Sequence, residues 1–210
     1  MKIYLEEKIG NPDLFTGRKK ELENLLQWAE KIKIKRAKSR AMVSRRKTGK
    51  SAILQRLYNI LFEKNDQVIP FYFEIKESSI WIADFARNFF LTFIKQYIAF
   101  KSRNVNHLKT INTLISAITI AKKEGLDYLI SHIEDFLYSE DKKHYDYMWD
   151  LARDAPRMIS QHNERVLQII DEFQFINYYI YWDKEKQRKA DELAGSYLHT
   201  CEYKNAPMLV

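Results

Sequence analysis

Several residue types are scarce in this 210-residue chain, and each scarcity excludes a class of protein. A single cysteine, Cys201, excludes an internal disulfide framework and indicates a reducing environment. Five glycines and four prolines argue against a β-sandwich and against a disordered chain. No apolar run approaches the roughly 20 residues of a membrane span, and the N-terminus lacks the apolar segment of a secretion signal. We expect a soluble cytoplasmic protein with no membrane partner.

Acidic residues are missing from one window of the chain. Residues 31–50 contain ten of the 35 Lys and Arg residues and no Asp or Glu. Without this window the chain is slightly acidic, so its net charge of +7 is a local property. Such a cluster suits a triphosphate or a nucleic-acid backbone. A solvated helix end explains its first half, residues 31–38, equally well.

The apolar pattern predicts strands that alternate with helices. With 46% apolar and 14% aromatic residues, the chain can form one sizeable core. Strands are predicted at residues 40–44, 67–75, 166–171 and 206–210, and helices at 22–32, 50–61, 80–100 and 184–203. Pro70 favours an edge position for the second strand. The alternation predicts an α/β fold with a parallel sheet covered on both faces.

One long region has helical patterns and no strand. Residues 101–163 contain three amphipathic segments, the first two separated by Gly125. The region is far longer than an ordinary connection between parallel strands. We predict a helical insertion there, in a single domain whose core consists of residues 1–100 and 164–210.

The segment that connects the first strand to the following helix has the pattern of a phosphate-binding loop. Ser44–Ser51 matches G-x-x-x-x-G-K-[ST] except that Ser44 replaces the first glycine. Such loops wrap backbone N–H groups around phosphates, place a lysine on the β- and γ-phosphates, and direct a hydroxyl to Mg²⁺. The positive end of the helix dipole also favours an anion.

A second motif follows the strand at residues 166–171. Asp171 ends a nearly continuous apolar run and Glu172 comes next. The carboxyl ends of parallel strands share one edge of a sheet, so these acids can face the same crevice as Ser44–Ser51. A strand-end turn with solvated acids is the alternative interpretation.

Together these segments resemble the P-loop ATPases of the AAA+ superfamily, and within it the archaeal and bacterial ATPases of the STAND type. The segment Phe15–Arg18 is similar to the family's F-x-G-R box. The segment Arg45–Ser51 is similar to its Walker A form R-R-x-x-G-K-T. The segment Val166–Gln174 is similar to its Walker B form h-h-h-h-D-E-x-Q. The three segments frame about three-quarters of the chain.

The resemblance implies an ATP-binding, Mg²⁺-dependent ATPase core. Lys50 would stabilise the phosphates, Ser51 and Asp171 would hold Mg²⁺, and Glu172 would activate water. The nucleotide-binding residues would be Gly17, Arg18, Ser44, Lys47, Thr48, Gly49, Lys50, Ser51 and Ala52. The ATPase domain would associate with itself, and an arginine finger would come from Arg153 or Arg157; a helix-surface salt bridge is the alternative for these arginines.

Two departures from the family bear on this expectation. A residue with a Cβ that is forced into a left-handed conformation costs about 1–2 kcal/mol, so Ser44 would weaken binding if its φ were positive. The chain also stops before the family's fifth strand and helical lid, so we expect slow hydrolysis. The alternative is a non-hydrolysing module with a decayed loop, which binds a nucleotide, a nucleic acid or a protein.

Overall fold

The computed structural model describes residues 4–8, 15, 17–45, 48–159, 164–201 and 206–210. The chain divides into two compact units. The first unit comprises Met1–Glu74, Ser160–Asp171 and Cys201–Val210, and the second comprises Ile75–Ile159 and Glu172–Thr200. Each unit is described separately below.

The elements follow one another in an order that mixes helices and strands. The helices are α1 (Lys19–Lys33), α2 (Lys50–Lys64), α3 (Ile82–Ser102), α4 (His107–Thr110), α5 (Leu114–Lys123), α6 (Tyr128–Asp141), α7 (Tyr145–Met158), α8 (Ile176–Tyr179) and α9 (Leu193–Cys201). The strands are β1 (Val68–Glu74), β2 (Ile80–Trp81), β3 (Arg165–Asp171), β4 (Ile180–Tyr181) and β5 (Met208–Leu209). The chain is therefore an α/β protein with a small parallel sheet and mostly helices.

A three-stranded parallel sheet in the order β1-β3-β5 forms the centre of the first unit. All seven residues of β3 are buried, which explains why its sequence is a nearly continuous apolar run. In the described sheet β1 pairs only with β3, so Pro70 lies in an edge strand, as predicted. Both α1 and α2 pack against β1 and β3.

The predicted strand at residues 40–44 is reduced to a parallel bridge beside β5. The N–H groups of Arg40 and Met42 donate to the carbonyls of Met208 and Val210 at 2.8 and 2.6 Å, and the N–H of Val210 donates to Arg40 at 3.1 Å. Val43 is 94% exposed. The apolar run therefore leaves the sheet before the loop begins, and its last side chain is almost fully exposed.

The second unit is mainly helical. The long helix α3 contacts α4, α5 and α7, and its phenylalanines are buried on more than one side, as the sequence predicted. Phe90 stacks on Phe136 of α6 at 4.4 Å between ring centroids, and Trp149 of α7 packs against Phe85 at 5.1 Å. Gly125 has a φ of +69° and separates α5 from α6. The second and third predicted helical segments are confirmed as α6 and α7, whereas the first is divided into α4 and α5 because Thr113 caps the start of α5.

One predicted helix is shorter than expected. The pattern at residues 184–203 predicted a continuous helix, but α9 begins only at Leu193. Asp183 accepts hydrogen bonds from the N–H groups of Gln187 and Arg188, and this local bonding holds residues 183–188 in turns. Side-chain bonds to the nearby backbone compete with helix formation.

Within the described residues, none of the helices combines the length and the apolar character that a bilayer crossing needs.

Candidate functional site

The start of α2 is a helix N-terminus that follows a glycine in the left-handed conformation. Gly49 immediately precedes the helix with a φ of +83°, a conformation that glycine adopts without strain. Among the described residues no side chain caps this end of α2, and the first N–H groups of the helix, at Lys50, Ser51 and Ala52, have no partner within the helix. The hydroxyl of Thr48 donates to the carbonyl of Arg45 at 2.8 Å and closes the loop locally.

The backbone at Ser44 does not adopt the left-handed conformation that favours glycine. The non-glycine residues with positive φ in the described part of the chain do not include Ser44, and its side chain is exposed. The serine Cβ therefore imposes no left-handed strain on the start of the loop. Lys47, which was predicted to bind phosphate, lies outside the described residues, as does Arg46.

The lysine of the loop and the aspartate of β3 form an ion pair. Nζ of Lys50 lies 3.5 Å from Oδ1 of Asp171, and the Asp171 side chain is fully buried. The hydroxyl of Tyr72 donates to Oδ2 of Asp171 at 3.0 Å, and Nε2 of Gln55 donates to Tyr72 at 3.3 Å. Burial, followed by the charge of Asp171, raises the pKa of Tyr72. The tyrosine is thus kept protonated as a hydrogen-bond donor.

A second ion pair lies beside the first. Nζ of Lys8 is 2.8 Å from Oε1 of Glu74 and 3.5 Å from Oγ of Ser51. Glu74 ends β1 and is paired in register with Asp171, which ends β3. The carboxyl ends of β1 and β3 therefore carry two neighbouring carboxylates, and each is paired with a lysine ammonium group. Neither Lys8 nor Glu74 was predicted as a site residue.

The segment that carries Lys8 is fixed along α2. Oδ1 of Asn59 accepts hydrogen bonds from the N–H groups of Tyr4 and Leu5, and Nδ2 of Asn59 donates to the carbonyl of Leu5 at 2.8 Å. Oε1 of Gln55 accepts from the N–H of Lys8 at 2.7 Å. These side-chain contacts place Lys8 near the first turn of α2.

The buried carboxylate of Glu7 anchors the same segment. Its Oε1 accepts a hydrogen bond from Asn59 at 2.8 Å and lies 3.4 Å from a guanidinium nitrogen of Arg56. Nothing in the sequence pattern distinguishes this carboxylate from that of Glu6. Only Glu7 is buried; Glu6 is exposed.

Glu172 has a strained backbone. It belongs to the second unit, its φ is +56°, and its carboxylate accepts a hydrogen bond from Nε2 of Gln174. A non-glycine residue in this conformation costs about 1–2 kcal/mol, and such residues concentrate at functional sites. The chain thus turns sharply directly after Asp171.

The other residues named by the sequence analysis have local contacts of their own. Gly17 has a φ of +79° and precedes α1, where the guanidinium of Arg18 lies 3.9 Å from Glu21. Arg153 and Arg157 pair with aspartates three residues earlier on α7, which agrees with the salt-bridge interpretation.

The oxygen atoms of Ser51 and Asp171 are of the kind that bind Mg²⁺ together with phosphates. No group of three or more His, Cys, Asp or Glu side chains that could enclose a metal lies in the described ranges. Mg²⁺ does not need such a group, since it is commonly bound by one or two carboxylates, water and substrate phosphates. Ser51 and Asp171 supply a hydroxyl and a carboxylate of this kind.

Comparison with known proteins found no family model that matches the chain, and no match among curated proteins or solved structures.

Proposed function

We propose that this chain binds ATP with Mg²⁺ and hydrolyses it, as a P-loop ATPase core of the AAA+ type. The observation that carries the proposal is the 3.5 Å separation of Lys50 and Asp171. These two residues come from separate motifs, and each motif has the composition that phosphate and metal binding demand. The exposed Ser44 without positive φ supports the proposal too, because it removes the steric objection to the loop.

Each residue has a distinct role in this proposal. In the nucleotide complex the Lys50 ammonium contacts the β- and γ-phosphates, and the N–H groups at the start of α2 surround the β-phosphate. Ser51 and Asp171 hold Mg²⁺, which neutralises charge on the phosphates when it is bound. Gly17 and Arg18 would bind on the adenine side, and Glu172 would orient and deprotonate the attacking water.

The ion pair of Lys50 and Asp171 can be exchanged for contacts with a nucleotide and a metal ion. A lysine that is paired with a carboxylate in the nucleotide-free protein is already positioned for a phosphate. When Lys50 turns to the nucleotide, Asp171 becomes available to the metal ion. The Tyr72 hydroxyl keeps one oxygen of Asp171 hydrogen-bonded throughout, which fixes the orientation of the carboxylate.

The test is nucleotide binding measured by calorimetry with Mg²⁺, together with phosphate release. Lys50→Ala should lower ATP affinity at least tenfold, whereas Lys64→Ala, at the other end of the same helix, should leave it unchanged. Glu172→Gln should retain ATP and lose about 10²–10⁴-fold in turnover. If wild type and Lys50→Ala bind ATP equally poorly, the proposal is wrong.

A second candidate function rests on exposed charge. Lys31, Lys35, Arg36 and Lys38 are all exposed at the C-terminal end of α1 and just beyond it. This patch would bind a nucleic-acid backbone. Binding of single- or double-stranded DNA or RNA that weakens steeply with salt, is lost in a Lys35→Glu/Arg36→Glu variant and ignores ATP would favour this function over the first.

A further inference from the structure

Two carboxylates face α2 from neighbouring strand ends. Glu74 and Asp171 are paired in register at the ends of β1 and β3, and paired residues of parallel strands project from the same face of a sheet. Tyr72, two residues before Glu74, projects from this face as well and contacts both Asp171 and Gln55 of α2. The face is therefore the one that α2 covers.

The ammonium group of Lys8 lies within reach of two oxygen atoms. It is 2.8 Å from Oε1 of Glu74 and 3.5 Å from Oγ of Ser51, while Lys50 contacts the neighbouring Asp171. One point in space is thus close to both a carboxylate and the hydroxyl that the proposed function assigns to Mg²⁺. A positive charge already occupies that point.

This placement of Lys8 is built into the fold. The hydrogen bonds of Asn59 and Gln55 hold residues 4–8 along α2 and fix where the side chain of Lys8 starts. The Lys8 side chain is itself 51% exposed, so it can leave Glu74 for solvent while the backbone stays in place. Glu74 is 38% exposed and open to an incoming ion.

We propose that Glu74 is a further ligand of the divalent cation, with Ser51 and Asp171, and that the ammonium group of Lys8 takes the cation's place in the metal-free protein. This inference rests on the proposed function, because it extends the same metal site. Hard divalent cations prefer carboxylate and hydroxyl oxygens, and they bind much closer to them than an ammonium group does. The metal ion and Lys8 therefore exclude each other.

The competition has a direct consequence. Removing the ammonium group of Lys8 should strengthen metal binding, because a positive charge no longer opposes the metal ion. Removing the carboxylate of Glu74 should weaken it. If the ion pair were merely structural, removing either Lys8 or Glu74 would affect metal binding in the same direction. Opposite effects on metal affinity therefore support the inference.

The experiment measures Mn²⁺ bound to the full chain by electron paramagnetic resonance, with and without ATP. The variants are Lys8→Met, Glu74→Gln and the double variant, and Glu6→Gln is the matched control, an exposed carboxylate on the same segment. We expect Glu74→Gln to bind Mn²⁺ at least tenfold more weakly with ATP present. We expect Lys8→Met to bind it about tenfold more tightly, and Glu6→Gln to equal the wild type.

The Mn²⁺ measurement without ATP keeps this inference separate from the proposed function. If the wild type binds no ATP, the proposed function fails, and Mn²⁺ alone still compares Lys8→Met with the double variant. The metal site is supported if Lys8→Met binds Mn²⁺ more tightly and if adding Glu74→Gln abolishes this gain. A gain in affinity cannot result from misfolding. Equal Mn²⁺ affinity in Lys8→Met and the double variant, with and without ATP, overturns it.

Discussion

Nζ of Lys50 lies 3.5 Å from Oδ1 of Asp171, whose side chain is fully buried. Breaking a buried ion pair from one side leaves the other charge uncompensated. Lys50→Met should therefore lower the free energy of unfolding by about 2–3 kcal/mol, somewhat less than for a fully buried pair, because Tyr72 still donates to Asp171. Urea denaturation measures the loss.

Asp171→Asn provides the matched background for this prediction. In that variant the uncharged amide no longer needs Lys50, so adding Lys50→Met should cost much less than it does in the wild type. An equal cost in both backgrounds would show that the ion pair contributes nothing to stability.

The two ends of the phosphate-binding pattern should respond differently to substitution. Gly49 has a φ of +83°, and a Cβ added there meets no atom of the described residues beyond its two neighbours within 4 Å, so we expect the cost of Gly49→Ala to come from the backbone. We expect a loss of about 1–2 kcal/mol in thermal denaturation. Ser44→Gly should relieve no strain and change stability by less than about 1 kcal/mol, through the flexibility of the unfolded chain.

Nucleotide affinity provides a second test of Ser44. Ser44→Gly should leave ATP affinity within about threefold of the wild type, since Ser44 has no positive φ to correct. A tenfold or greater gain in affinity would mean that the bound loop needs a glycine at position 44 after all.

The main elements could be predicted where the sequence pattern is long and repetitive. The buried strand β3 follows from an almost unbroken apolar run, and α6 and α7 follow from their apolar spacing. The strand predicted at residues 40–44 is an exception, because the structure reduces it to a bridge. Its apolar run, Ala41 to Val43, is much shorter than that of β3, and Val43 is exposed because pairing with β5 ends at Met42.

The candidate site was only half predictable for a similar reason. Lys50, Ser51 and Asp171 belong to motifs with fixed spacing, so the sequence shows them directly. Lys8 and Glu74 meet because the N-terminal segment docks on α2 and because β1 and β3 share a register. Glu74 could have been noticed as the first charged residue of an apolar strand, but nothing near Lys8 in the sequence indicates its contacts.

Asn59 should control the position of the N-terminal segment. Its amide makes three hydrogen bonds to the backbone of Tyr4 and Leu5 and another to the buried Glu7. Asn59→Ala should lower the free energy of unfolding by about 2–3 kcal/mol, since buried partners lose their bonds. Hydrogen exchange at residues 4–8 should accelerate more than exchange in β3.

Glu63→Gln is the control for Asn59→Ala, because it changes an exposed contact of the same segment, with the Tyr4 hydroxyl. It should cost less than about 0.5 kcal/mol. Unchanged hydrogen exchange at residues 4–8 in Asn59→Ala would contradict the role assigned to this side chain.

A surface charge network at the end of α1 should make stability depend on pH. Lys33 pairs with Glu30 at 2.6 Å and with Asp66, and Lys64 lies 3.6 Å from Asp66. Hydrogen bonds from Lys33 lower the pKa of Asp66, and those from Lys33 and Lys64 lower the pKa of Glu30. A carboxyl group with a lowered pKa stabilises the fold above its unfolded pKa, and this contribution disappears as the pH falls through the folded value.

Asp66→Asn should accordingly cost about 0.5–1 kcal/mol at pH 7, the range for exposed ion pairs. The difference from the wild type should shrink as the pH falls below the ordinary Asp pKa of 3.8, because the wild-type carboxyl then becomes neutral as well. Added salt should also reduce it at pH 7. Urea denaturation from pH 7 to pH 2 measures the effect, with Glu23→Gln, an exposed change on α1, as the control. An Asp66→Asn deficit as large at pH 2 as at pH 7 would show that its source is not the carboxylate charge.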